Sequence, residues 1–297
     1  MRFDDLDREA RSGEPRKLVV IGAHEANVLK GVARAAAEGI STPVLLGDRG
    51  EIDRIAEGEG IDLAGHDVRD VPDLEAAAMA AMEMVRAGEV GALMKGKIPT
   101  PDMMRIGFKN GLKRDGRILT HLAAFDSERL GRLVMVSDSG IIPYPDLGQR
   151  VQIIRNAVDA MRRLGAAEPK VAVLAATEEV SEKIPISLDA AELKRMNAPG
   201  GELDDWGTVD GPMDFFAALD PEAARVKGIG GAVAGRADIL HCPDVVAGNL
   251  MGKSAIFFAG DIRTGGCVVG GAVPIVLLSR ASSADDKYCS ILLALSC

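Results

Sequence analysis

The chain has 297 residues, 47% of them hydrophobic and 27% charged, which suits a buried core and excludes a wholly disordered chain. With 35 basic against 44 acidic residues, a formal charge of -9 and 3% aromatics, it lacks the positive surface and stacking rings of a general nucleic-acid binder. Cys242, Cys267, Cys289 and Cys297 form no CxxC pair, the N-terminus is charged throughout and no apolar run is long enough to span a bilayer, so a soluble cytoplasmic protein is expected, with no disulfide scaffold, signal peptide or membrane contact.

Short runs rich in Val, Ile and Leu recur at residues 17–23, 43–47, 90–94, 133–137, 170–175, 237–240 and 267–278. Their continuous rather than alternating hydrophobicity predicts parallel strands covered on both faces. Residues 24–38, 74–86, 146–164 and 189–196 carry the helical period between them. In 146–164, Val151, Ile154, Val158 and Met161 share one face, and Gly165 supplies the stop. Strand alternating with helix predicts an α/β fold. The stretch Gly140 to Asp146, with two prolines, breaks both periods and marks a domain boundary.

Several motifs fail on inspection. His24-Glu25-Ala26-Asn27-Val28 begins like a zinc-protease helix but has valine at the second histidine position, so no metal site is expected. Gly228 to Val233 lacks the third glycine of a dinucleotide fingerprint, and Ser137-Asp138-Ser139-Gly140 is no nucleophile elbow. Ala247 to Ser254 resembles a Walker A segment, yet too little chain follows to complete a P-loop core, and a helix start is the better reading. Cys267 reads as a small core residue.

Residues 95 to 117 hold seven basic side chains against two acids, reversing the sign of the whole chain. Arg105, Lys109 and Lys113 read as a solvated helix face. Lys95-Gly96-Lys97 instead follows a strand, and Pro99-Thr100-Pro101 opens a helix there. Strand end, glycine, lysines and helix N-terminus together predict an anion site using Lys95, Lys97, Thr100 and Arg117. Ser279 to Asp286 forms a second polar group in which Arg280 offers bidentate donors. Ser282 or Ser283 would cap the terminal helix, with Asp285 and Asp286 in its first turn. Favourable helix electrostatics accounts for both aspartates as well as a catalytic role does.

Ordered stretches from Leu93-Met94-Lys95-Gly96 onward carry a resemblance. They are Pro169 to Leu174, Val209-Asp210-Gly211-Pro212, Val233 to Leu240, Pro243-Asp244, Ala247-Gly248-Asn249 with Lys253, and Val273 to Arg280. Together the set resembles the phosphate acyltransferases, phosphate butyryltransferase especially. The resemblance implies reversible acyl transfer between acyl-coenzyme A and orthophosphate. It implies two α/β/α domains with parallel-rich sheets around a cleft, a scaffold like that of isocitrate and isopropylmalate dehydrogenases. The first domain is expected over 1–140 plus 273–297 with the anion site. The second is expected over 141–272 with the coenzyme A contacts and the interface of a homo-oligomer, a dimer or larger.

Carried over residue by residue, Ser279 and Arg280 would hold the phosphoryl group and polarise the acyl carbonyl. Asp286 matches the proposed general base for the thiol, and Asp210, Asn249 and Lys253 fall on coenzyme A positions. Coenzyme A and phosphate would be substrates, with no permanently bound cofactor. The chain departs from the family at Ser137 to Ile142 and at Phe215-Phe216, two phenylalanines that read as core. Two alternatives use the same residues: metal- and nicotinamide-dependent dehydrogenase chemistry on the same scaffold, or a non-catalytic acyl-coenzyme A or phosphate-binding protein.

Overall fold

The computed structural model describes residues 1–260, 262–279 and 281–297. In chain order the first elements are α1 (Phe3–Ser12), β1 (Arg16–Ile21), α2 (Ala26–Ala37), β2 (Ser41–Gly47), α3 (Arg49–Glu59), β3 (Asp67–Asp70), α4 (Leu74–Arg86), β4 (Ala92–Lys95) and α5 (Thr100–Lys109). Next come β5 (Thr120–Asp126), β6 (Val134–Ser137), α6 (Leu147–Arg163), β7 (Lys170–Leu174), α7 (Pro185–Met196), β8 (Thr208–Met213), α8 (Phe215–Leu219), α9 (Pro221–Val226), β9 (Ile239–His241) and α10 (Val245–Phe258). The chain ends with β10 (Arg263–Val269), β11 (Ile275–Val276) and α11 (Ala284–Ser296).

These elements form two compact units. A discontinuous unit takes residues 3–119 and 263–296, and an inserted unit takes 120–262 with the chain's extreme termini. In the discontinuous unit the strand order is β3-β2-β1-β4-β11-β10. Its strands run parallel from β3 to β11, while β10 lies antiparallel to β11. In the inserted unit the order is β5-β6-β9-β7-β8, parallel except for β5 against β6.

The boundaries therefore fall at 119/120 and 262/263, not at 140/141 and 272/273. Pairing moves them: β5 is tied to β6, and β6 pairs with β9 of the inserted sheet ahead of the Gly140 break. At the other end β10 packs beneath α11, where a side chain at Gly265 would sit 3.1 Å from the Cys289 backbone.

The continuous apolar runs are strands because both faces of each are covered. Leu18 to Ile21, Ala92 to Met94 and Val171 to Val173 are fully buried. Helix starts follow local chemistry. Asp48, Asp73 and Asp244 each accept a backbone N–H as N-caps, and Asp146 with Gln149 closes a capping box. Gly165 ends the α6 segment with φ near +93°, a conformation open to glycine. The single apolar run 267–278 is two strands, β10 and β11, folded back on each other.

His241 lies at the centre of the inserted sheet, paired in register with Ser137 of β6 and Val173 of β7. Burial foremost, then the Arg150 guanidinium 3.4 Å from Nε2, pushes its pKa down to about 3. The native ring thus stays neutral down to about pH 3, while the unfolded ring protonates near 6.5. Stability is lost as pH falls below 6.5, and by pH 4 the loss reaches about 3 kcal/mol. Urea unfolding at pH 7 and pH 4 should show this drop, and His241→Gln should flatten it. An equal pH dependence in the variant would contradict the assignment.

Candidate functional site

The discontinuous unit brings the carboxyl ends of β1, β4 and β11 side by side, with Ile21 opposite Lys95 and Met94 opposite Val276. Beyond the sheet the first two ends stay joined. Gly96 N–H donates to the Ile21 carbonyl at 2.9 Å, and Lys97 N–H donates to the Gly22 carbonyl at 2.8 Å. A Cβ at Gly96 would meet the Gly22 carbonyl carbon at 2.8 Å and the Ile21 oxygen at 2.9 Å, and would lie closer still to the Gly22 oxygen. Gly22 itself has φ near +73°, so both sides of the joint require glycine.

This joint sets out the predicted anion ligands. Lys95 ends β4 and is 8% exposed, with its ammonium donating to the Gly96 carbonyl at 3.0 Å. Lys97 is exposed, and Thr100 begins α5, which has Pro101 in its first turn and no side-chain cap. The first-turn amides of α5 and its dipole add positive potential at this point. Ser279 leaves the adjacent strand β11 and is also exposed. Its hydroxyl accepts a hydrogen bond from the Ala281 amide at 3.3 Å. Arg280 lies outside the described residues.

Arg117 is on a turn closed by its N–H to the Arg114 carbonyl at 3.2 Å. Arg105 is on the solvated face as expected, bonded to Glu75 at 2.5 Å. Asp286 is occupied by the helix start. Its Oδ2 accepts from Ser283 N–H at 2.9 Å and from Ser283 Oγ at 2.8 Å, while Oδ1 accepts from Thr264 Oγ1 at 2.9 Å. Ser283 therefore caps α11, and its Oγ accepts the Asp286 amide at 3.1 Å.

Four residues of this region were not predicted as site residues: Lys287 fell in no motif, and His24, Glu25 and Asn27 fell only in the failed zinc-protease motif. His24 follows β1, and its Nδ1 is buried without a hydrogen-bond partner among the described residues. Burial and then the charge of Lys97 hold its pKa below the usual range, so a neutral imidazole stands near that lysine. The position of His24 directly after the apolar run 17–23 was the available signal.

Asp210, Asn249 and Lys253 belong to the inserted unit. Asp210 Oδ1 accepts from Gly211 N–H at 2.8 Å and from the Lys194 ammonium at 2.7 Å. Asn249 Nδ2 donates to the Ser139 carbonyl at 3.2 Å, and Lys253 is exposed on α10. A Cβ at Gly248 would stand 2.5 Å from the Asp138 carbonyl oxygen, so the first turn of α10 rests on this loop. The loop is built on the Asp138 carboxylate, which accepts Gly140, Ile141 and Ile142 amides at 2.7, 3.0 and 3.1 Å. Burial raises the Asp138 pKa more than those amides lower it. The Walker-like segment lies within α10 rather than in a loop before a helix.

Phe215 and Phe216 are not core residues. They begin the short α8 and are 44% and 59% exposed, because the inward face of that helix is made by Ala217 and Ala218. Among the described residues no group of three His, Cys, Asp or Glu is placed to hold a metal ion, and no helix is long and apolar enough to cross a membrane.

A family model described as Phosphate acetyl/butaryl transferase matches residues 72–295. The chain belongs to this family. It is 36% identical to a phosphate butyryltransferase of Clostridium acetobutylicum, over 98% of this chain and 96% of the relative. It is 38% identical to a phosphate acetyltransferase of Thermotoga maritima, over 96% of each. A solved branched-chain phosphotransacylase from Enterococcus faecalis superposes with TM-score 0.82 at 27% identity, covering 95% of this chain and 98% of that one. A 4-hydroxythreonine-4-phosphate dehydrogenase from Burkholderia phymatum shares the fold at TM-score 0.52 and 15% identity, covering 96% and 97%.

The joint gives a direct stability test. Gly96→Ala should lower stability by more than about 2 kcal/mol, since backbone on both sides must move. Gly58→Ala, in open space on α3, should raise it by up to about 1 kcal/mol. Denaturant midpoints measure both, and comparable small effects would show that the joint is loose.

Proposed function

We propose that this chain transfers a short acyl group reversibly between acyl-coenzyme A and orthophosphate, giving an acyl phosphate and free coenzyme A. The observation that carries the reading is the joint itself. Two lysines, a helix N-terminus and the Ser279 exit converge at neighbouring strand ends, in a chain of this family. Lys97, the start of α5, Ser279 and Arg280 hold the phosphoryl oxygens, and Lys95 and Arg117 add charge to the same anion. Asp210, Asn249 and Lys253 contribute the coenzyme A contacts.

Chemistry follows from positioning. The coenzyme A thiolate attacks the acyl carbonyl, the carbonyl oxygen takes the negative charge, and collapse expels orthophosphate to leave the thioester. Ser279 Oγ and Arg280 are the donors assigned to that oxyanion. Both Asp286 carboxylate oxygens are engaged by Ser283 and Thr264, so Asp286 is assigned to holding the helix start rather than to deprotonating the thiol. The ammonium groups of Lys95 and Lys97 favour the thiolate directly. No cofactor stays bound through this cycle.

The same reading places the protein in the cytoplasm as a homo-oligomer, a dimer or larger. Four free, buried cysteines suit a reducing compartment. Exposed Leu250 and Ile256, with Phe257 at 84% and Phe258 at 81% exposure, give α10 an apolar surface suited to a second copy.

Purified protein should release thiol from acyl-coenzyme A only when orthophosphate is present, without added metal or nicotinamide. Arg280→Ala and Lys97→Ala should each lower kcat/KM by about 100-fold, and Lys109→Ala by less than about twofold. Folded protein that releases no thiol across acetyl, propionyl, butyryl and longer chains would overturn the reading. Equal small effects of the three substitutions would move the site elsewhere.

A further inference from the structure

Lys287 is a buried lysine for which the chemistry above has no use. It lies in the first turns of α11, 2% exposed, against α2. Taking an ammonium out of water is costly unless it is paired and hydrogen-bonded. The carboxylate paired with it, Glu25 Oε1, is 3.6 Å away, an ion pair longer than a hydrogen bond, and the Asp286 charge also acts on it. Its hydrogen bond goes instead to the Ser279 main-chain carbonyl, at 3.2 Å.

Helix α2 is shaped around this contact. A Cβ at Gly31 would meet Lys287 Cβ at 2.9 Å, so the glycine opens the helix face to the lysine stem. One turn earlier on α2, Asn27 Nδ2 donates to the Ser282 carbonyl at 3.0 Å. Glu25 precedes the helix and faces the ammonium. The Ser282 amide in turn donates to the Ser279 carbonyl at 3.2 Å. The loop that leaves β11 is thus held at both ends, by Lys287 at Ser279 and by Asn27 at Ser282.

We propose that Lys287 is a positioning residue: its ammonium fixes the Ser279 carbonyl so that the Ser279 side chain is held at the joined strand ends for the phosphoryl group. Glu25 balances the buried charge, and Asn27 fixes the far end of the same turn. The consequence for turnover rests on the acyltransfer reading. The consequence for loop order does not.

Two measurements separate these. Hydrogen exchange at the Ser282 amide should be about tenfold or more faster in Lys287→Met than in the wild type, because its acceptor carbonyl has lost its second anchor. Unchanged exchange would overturn the proposal whatever the protein catalyses. In turnover, Lys287→Met should raise KM for orthophosphate by about tenfold or more while KM for acyl-coenzyme A stays within about twofold. A merely structural loss would lower the amount of active enzyme and leave both KM values unchanged, and that result would also overturn the proposal.

The single substitution strands Glu25, so the Glu25→Gln/Lys287→Met double variant removes the whole charge pair. Phosphate KM should remain elevated in it. Return of that KM to the wild-type value would show that Lys287 only neutralised Glu25. Lys30→Met on α2, which breaks an exposed ion pair with Glu59 of α3, should match the wild type. A wild type without phosphate-dependent turnover would refute the functional reading and leave the exchange measurement to decide the positioning role.

Discussion

The contact between the Gly22 and Gly96 backbones is the constraint on which the rest of the site depends. Parallel strands usually separate after their last ladder bond, as each chain turns into its own helix. Here two further amide bonds carry the β1 and β4 pairing past the sheet edge. A side chain at either glycine would force the two chains apart. Because they stay together, Lys95 and Lys97 emerge at one place with the N-terminus of α5 directly behind them. Strand β11 is in register with β4, and Ser279 follows three residues beyond its end.

Charge is organised around this joint and does not follow the chain average. The formal charge of -9 describes the molecule at long range, where salt screens it within about 10 Å. Near the strand ends stand two lysines, helix amides and His24, whose pKa burial and Lys97 hold below the usual range against the opposing charges of Asp48 and Glu51. Other basic residues of the same stretch are occupied elsewhere, as Arg105 is with Glu75. In the proposed reading a small polyanion would meet local positive charge on an acidic protein, whereas an extended one would meet repulsion over most of the surface.

Much of this was legible in the sequence where the signal was local. Buried parallel strands announce themselves as unbroken Val, Ile and Leu runs, so β1, β4, β6 and β7 were recognisable, as was α4 over residues 74–86. The Lys-Gly-Lys turn could be placed at a strand end because strand and helix signals flank it. Signals set by distant partners were not legible. Strand β3, Asp67–Asp70, is polar because it lies at a sheet edge, and β5 is defined by pairing with β6. The exposure of Phe215 and Phe216 follows from which face of a five-residue helix turns inward. The cap made by Ser283 and Asp286 was readable from their spacing, but the Thr264 bond that completes it comes from a strand far earlier in the chain. Lys287 gave no sequence signal, since a lysine in a C-terminal helix ordinarily reads as surface.

In the proposed function, orthophosphate seats at the joined ends of β1, β4 and β11. Backbone amide shifts followed by NMR during titration with orthophosphate test it most directly. The account predicts that the largest shifts fall on Lys97 to Met103 and on Ala281 to Ser283, and that Lys97→Ala abolishes them. Shifts concentrated instead at the start of α10, around Ala247 and Gly248, with the strand ends unmoved, would contradict it.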